Sequence, residues 1–174
     1  MQPIRVYCTR SARPVKQNQG SIWNAVMNAT LRVRRRPGLE DLPLPRYMSE
    51  HAAGLDLLAA NDEPITVAPG EIRLIPTGLY VEIPPGYEGQ VRARSGLALR
   101  HGLMLPNAPG TIDADYRGEL QVIVANCARA PYTIERGMRF AQLVIAPVAH
   151  VEVVEVEGLA DSRRGTGGFG HTGH

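Results

Sequence analysis

Between residues 31 and 156 the apolar residues recur mostly with a period of two, and proline and glycine turns break the pattern at short intervals. Such a chain cannot lay its apolar side chains along one long helix. It has to stack short strands, as in an all-β sandwich or barrel. Leu31 and Val33 alternate with arginines and read as an edge strand running to Arg36. Pro37 to Arg46 holds three prolines and reads as a loop. Pro64 to Val67 and Glu71 to Ile75 read as strands parted by the turn dipeptide Pro69-Gly70. Leu79, Val81 and Ile83 alternate with Tyr80 and Glu82 and stop at Pro84-Pro85-Gly86. Further strands are predicted at Gln90 to Arg94, Tyr132 to Ile134, Phe140 to Ala146 and His150 to Val156. In the last of these the parity slips between Val153 and Val154, which predicts a bulge. One interruption has another character: from Ser95 the residues favour helix, with Ser95 as the cap of a short turn of it.

The stretch from Gly110 to Leu120 combines chemistry with this pattern. Two acids, Asp113 and Asp115, and Tyr116 stand between glycines, and alternation follows, with Leu120, Val122 and Val124 on one side and Gln121 and Ile123 on the other. This predicts a turn or hairpin tip feeding a half-buried strand. Its acids are either a solvated turn or carboxylates held rigidly toward a ligand. Arg94-Ser95-Gly96, at a strand-to-helix junction, is similarly open. It is a capped surface helix beside a solvated arginine, or a phosphate site in which amides, a hydroxyl and a guanidinium converge. Arg164 to Gly170 is a glycine-rich linker, or a lid whose Phe169 stacks on a base while Arg164 meets a phosphate.

Composition removes several classes. The 174 residues suit one domain with a real core, and aromatics at 5% make that core aliphatic. The formal charge of +2 is too even to imply nucleic-acid binding, although Arg32, Arg34, Arg35 and Arg36 cluster. Two cysteines, Cys8 and Cys127, make no disulfide framework, so a reducing cytoplasm is expected, with Cys127 buried and inert. No apolar run approaches the ~20 residues of a membrane span, and no secretory leader is evident. None of the five histidines has zinc-ligand spacing with a cysteine. Ser95 has no evident His–Asp partners for nucleophilic catalysis. Residues 1–29 are polar and aperiodic apart from a weak helical tendency around Trp23. They read as a mobile extension, with Met27 an alternative start, followed by a barrel over residues 30–157 and a flexible arm over 158–174.

Taken in order, these segments resemble the trimeric dUTP diphosphatase (dUTPase) family. Ala53-Gly54-Leu55-Asp56-Leu57 is similar to its first motif and Arg94-Ser95-Gly96-Leu97-Ala98 to its second. Asn107 with Gly110 to Glu119 is similar to the third, Arg136 to Leu143 to the fourth, and Arg164 to Gly170 to the fifth. The resemblance spans about residues 31 to 174. Leu55, Ala93 and Met138 depart from common family choices without touching a residue that would carry chemistry.

What the resemblance implies is a distorted jelly-roll, or β-clip, barrel with one short helix and a glycine-rich C-terminal arm. The barrel would form a homotrimer with shared active sites. The reaction would be Mg²⁺-assisted hydrolysis of dUTP to dUMP and pyrophosphate. Asp113 would be the general base. Tyr116 would pack on the deoxyribose and exclude a 2′-hydroxyl. Asn107 and the backbone from Gly110, Thr111 and Ile112 through to Gln121 would read uracil. Arg94, Ser95, Gly96 and Gln142 would hold phosphates, Asp56 would act near the metal through water, and Arg164, Phe169 and Gly170 would close from a neighbouring chain. No nucleic-acid or membrane partner is expected. The rival readings are a dCTP deaminase, which lacks the closing arm and usually the D-x-D-Y pattern, and a non-catalytic regulatory protein on the same fold.

Overall fold

The structure, a computed structural model, describes residues 29–168. The extension before residue 29, with Cys8 and the segment around Trp23, lies outside the described residues, as do Phe169, Gly170, His171 and His174. In chain order the strands are β1 (Arg32–Arg35), β2 (Leu55–Leu58), β3 (Ile65–Val67), β4 (Ile72–Glu82), β5 (Tyr87–Ala93), β6 (Leu103–Met104), β7 (Gly110–Ile112), β8 (Glu119–Asn126), β9 (Tyr132–Ile134) and β10 (Arg139–Pro147). Helix α1 (Ser95–His101) follows β5. Two four-stranded antiparallel sheets, ordered β1-β4-β8-β6 and β2-β10-β5-β7, share one core, and β3 pairs with β9 apart from them. That core is aliphatic, with Leu57, Ile75, Ile83, Leu120, Val122, Val124 and Leu143 all fully buried. This is the all-β, jelly-roll type of arrangement that the period of two demands, with a single short helix among the described residues.

Three expectations about elements are corrected. The strands foreseen at Glu71 to Ile75 and Leu79 to Ile83 are one, β4. Against β8 its register slips by two residues between Pro76 and Leu79, so Ile75, Thr77, Leu79 and Val81 all stay inward. Proline lacks a ladder donor and is tolerated in a strand at such a bulge. Ser95 does not cap α1: the cap residue is Arg94, without a side-chain cap bond, and Ser95 is the first helical residue. The strand foreseen at His150 to Val156 is absent from the described residues, and Val151, Val153, Val154 and Val156 are exposed. Alternation marks strand potential, but a strand needs a neighbour to bond to, and this segment has none among the described residues. Cys127 also departs from expectation. It lies one residue past β8 and is exposed.

The β4 bulge helps fix where β8 begins. The Thr77 hydroxyl donates to the Leu120 carbonyl, and the Gly78 amide donates to Glu119 Oε1 at 2.8 Å. Gly78 has φ +64° and packs against Leu39 and Ala60 so closely that an added Cβ would overlap Leu39 Cδ1. Gly78→Ala combines left-handed strain with this clash, so it should destabilise by about 1–3 kcal/mol or more in urea unfolding. A loss under about 0.5 kcal/mol, the range of an ordinary surface change, would show that the bulge imposes no such constraint.

Candidate functional site

Asp56 is the centre of one group of site residues. It stands on β2, 6% exposed, opposite Gln142 of β10. Arg139 Nη1 donates to its Oδ2 at 3.2 Å, Gln142 Nε2 donates to Oδ1 at 3.2 Å, and Arg94 Nε lies 3.5 Å from Oδ1. Arg94 Nη1 also donates to the Arg139 carbonyl at 2.8 Å. A carboxylate this buried needs such partners, because an unpaired charge in a low dielectric is costly. Ser95 and Gly96 follow Arg94 directly as the first turn of α1, with Ser95 exposed and the Arg100 guanidinium against Gly96. The structure thus gathers Asp56, Arg94, Ser95, Gly96 and Gln142 into one cationic corner.

Arg139 is the functional candidate that sequence reasoning missed. Strand parity puts residues 139 and 142 on opposite faces. A one-residue register shift in β10 between Arg139 and Ala141 turns both toward Asp56. Its only advance signal was its place in the same motif as Gln142. Before the strand, Arg136 grips Asp41 of the proline-rich loop through Nη2 at 2.7 Å and Nε at 3.3 Å. Those bonds hold the Asp41 carboxyl below the usual carboxylate range.

The second group lies around Asp113. The expected hairpin is corrected: β7 pairs with β5 in one sheet and β8 pairs with β4 and β6 in the other, so residues 113–118 cross between sheets. The Tyr116 amide donates to the Asp113 carbonyl at 3.1 Å and the Tyr116 hydroxyl to the Glu119 carbonyl at 3.0 Å. The ring lies directly over Gly118, where a side chain would collide with it. Arg117 Nη1 donates to the carbonyls of Ala114 at 2.7 Å and Tyr116 at 2.9 Å. Asp113 is exposed and lines a cleft of about 730 Å³ with Thr111, Asp115, Glu88 and His150. Asn107 is exposed on the preceding turn, its amide against Gly110. Ile112 ends β7 opposite Gly89, and Gln121 is exposed on β8 opposite Pro76.

The two groups stand at opposite ends of β5. Gly110 pairs with Val91 and Ile112 with Gly89, so Asp113 continues toward Glu88, while Arg94 follows the other end. Six residues at about 3.3 Å each separate them by roughly 20 Å along the strand. Arg164 donates within its own turn, to the Gly167 carbonyl at 2.8 Å. One chain therefore presents an anion corner, a turn with a free carboxylate, and an exposed arm, without joining the first two.

No cluster of three or more histidine, cysteine, aspartate or glutamate side chains is assembled among the described residues. A hard divalent ion here would take most of its ligands from phosphate and water. No helix among the described residues is long and apolar enough to cross a membrane.

A family model described as dUTPase matches residues 40–173. The deoxyuridine 5′-triphosphate nucleotidohydrolase of an Anaeromyxobacter species is 60% identical over 151 residues, covering 84% of this chain and 99% of the relative. The enzyme of the same description from Caldanaerobacter subterraneus subsp. tengcongensis is 52% identical over 147 residues, with the same coverage of 84% and 99%. Among solved structures, a mutant of the Staphylococcus bacteriophage 80alpha dUTPase with dUpNHpp is 29% identical with a TM-score of 0.75, covering 83% of this chain and 99% of the other. A mutant dUTPase of phage phi11, described as coordinating a structural Mg(II) ion, is 28% identical with a TM-score of 0.68, covering 76% and 99%.

If Asp56 is the tie between β2, β10 and Arg94, Asp56→Asn should cost about 1–3 kcal/mol of stability, since it leaves Arg94 and Arg139 without their counter-charge. This is below the full cost of breaking a buried pair, because both arginines are partly solvated. Denaturant unfolding measures it, and an unchanged midpoint would remove the tie.

Proposed function

This chain belongs to the dUTPase family, and from that premise we propose that it hydrolyses dUTP to dUMP and pyrophosphate in sites shared between subunits of a homotrimer. Removing dUTP keeps uracil out of DNA, and the product dUMP supplies dTMP synthesis. The observation that carries the shared site is the placement along β5. A base roughly 20 Å from the phosphate-gripping corner cannot serve the same α-phosphorus on one chain. A second copy that brings its turn to this corner removes the discrepancy. Two further features support self-association: Ile72, Leu74 and Met104 expose apolar surface on the β4–β8–β6 sheet, and the valine-rich segment after β10 has no strand partner among the described residues.

In this reading residues 30–157 form the barrel, residues 158–174 are the closing arm, and residues 1–29 stay outside the catalytic unit. Uracil lies against the turn from Asn107 through Gly110, Thr111 and Ile112, with Gln121 beside it. A 5-methyl is too large for this pocket, and cytosine leaves polar groups unpaired. Tyr116, its hydroxyl engaged by Glu119 and its ring over Gly118, presents a fixed edge to the deoxyribose and refuses a 2′-hydroxyl. Arg94, Ser95, Gly96 and Gln142 hold the phosphates. Asp113 takes a proton from the water that attacks the α-phosphorus; the bond to the bridging oxygen breaks, and pyrophosphate leaves. Mg²⁺, when bound, would neutralise triphosphate charge, and Asp56 would hold it through water. Arg164, Phe169 and Gly170 close the site from a neighbouring chain. The enzyme works in the cytoplasm.

Asp113→Asn should lower kcat for dUTP by about 10²–10⁴-fold with little change in dUTP affinity, measured by pyrophosphate release and calorimetry. Retained turnover would exclude Asp113 as the base. Refolding an equal mixture of Asp113→Asn and Arg94→Gln chains, each inactive alone, should restore about a quarter of wild-type turnover. Each site in a closed ring then draws one intact partner of each kind by chance. No recovery would place both residues of a site on one chain.

A further inference from the structure

The proline-rich loop before β2 ends on Arg46, an arginine outside all the motif segments. Tyr47 bridges Leu55 in antiparallel pairing, and the Asp56 amide donates to the Arg46 carbonyl at 3.3 Å. Arg46 therefore stands opposite Asp56, and opposite residues of an antiparallel pair project to the same face. On its other side Asp56 stands opposite Gln142. Gln142, Asp56 and Arg46 thus form one row across the face, and two strand spacings of about 4.8 Å put Arg46 roughly 10 Å from Gln142.

Arg46 is exposed and takes part in no ion pair among the described residues. It lines a cleft of about 250 Å³ with Asp56 and Arg139. The other members of the cleft, Pro43, Leu44, Met48 and Leu58, offer no side-chain acceptor. The one carboxylate there, Asp56, is already met by Arg94, Arg139 and Gln142. Arg46 therefore leaves the corner with surplus positive charge, which suits a guest bearing several negative charges. At the other end of the row Arg92 faces Gln142, but its Nη2 donates to Gln90, whose Nε2 donates to Glu88 at 2.8 Å. One end of the row is engaged and the other is free, which gives a bound run of phosphates a direction.

We propose that Arg46 grips the terminal phosphate of dUTP and so makes the site prefer a triphosphate to a diphosphate. This rests on the reading of the chain as a dUTP hydrolase. Phosphates seated on Gln142 and the start of α1 run past Asp56, and the terminal one comes within reach of the long Arg46 side chain. A diphosphate ends short of it. The planar guanidinium can take two oxygens of a terminal phosphate at once, which a compact ammonium cannot.

The test is calorimetry on the full chain with two matched probes, dUpNHpp and its diphosphate counterpart dUpNHp, whose imido bridge resists hydrolysis. Arg46→Gln should weaken dUpNHpp about tenfold, the scale of a lost charge-assisted hydrogen bond, and dUpNHp by less than about threefold. Arg46→Lys keeps the charge without the fork, so its loss of triphosphate preference should be smaller. Arg129→Gln removes the same charge from an exposed position between β8 and β9 and should leave the preference unchanged. The Arg46 substitutions keep the backbone bond to Asp56, and an unchanged thermal midpoint checks that the fold is intact. Equal weakening of both probes by Arg46→Gln, or of neither, overturns the proposal, and dUTP turnover by the wild-type chain then leaves the proposed reaction standing. A wild-type chain that neither binds dUpNHpp nor hydrolyses dUTP overturns both.

Discussion

The buried carboxylate of Asp56 is the interaction on which the rest of the anion corner depends. It sits within a hydrogen-bonded strand, almost out of water, and its charge is tolerable only because Arg94, Arg139 and Gln142 converge on it. Those three residues come from the end of β5 and from β10, so satisfying one acid aligns three strands and the start of α1. In the absence of substrate the same carboxylate keeps two guanidiniums facing one point. In the proposed reaction the triphosphate, richer in charge, competes for donors that are already oriented, so little ordering accompanies binding.

The strand β5 works as a rail between two unlike ends. At one end the sheet hands the chain to a helix and a cluster of positive charge. At the other, β7 leaves the sheet and the chain crosses to β8, exposing Asp113 and Tyr116 on the crossing. Rigid strands at either side hold this crossing, and the two-residue slip in β4 ties β8 down just after it, through Gly78 and Thr77. The geometry is precise within each end and incomplete between them. In the proposed homotrimer one chain's Asp113 meets a neighbour's Arg94 corner, and a single heterologous contact repeated round the ring builds every site at once.

Much of this was legible in the residues. Alternation, proline–glycine turns and scarce aromatics led to an aliphatic all-β domain, because the period of two is a local property of each strand and survives any arrangement of the sheets. The motifs placed Asp56, Arg94, Gln142 and Asp113 without coordinates. Arg139 was not legible, since a bulge reverses its parity. Nor was the exposure of Cys127, because an apolar strand before a residue does not say whether the sheet continues over it. The same local pattern overstated the segment from His150 to Val156, where strand potential lacks a partner among the described residues.

By itself, the sequence determined which residues could be strands, which side chains pointed inward, and which groups could do phosphate chemistry. Only the tertiary structure decided which strands became neighbours. It put β7 and β8 in different sheets, inserted the slips in β4 and β10, and set Asp113 and Arg94 at opposite ends of β5. The reason is physical. Strand formation and facing follow from each residue's nearest neighbours, whereas register and sheet order depend on competition among many distant pairings. Those pairings are settled by burying all the apolar faces at once, and no short window of sequence contains that sum.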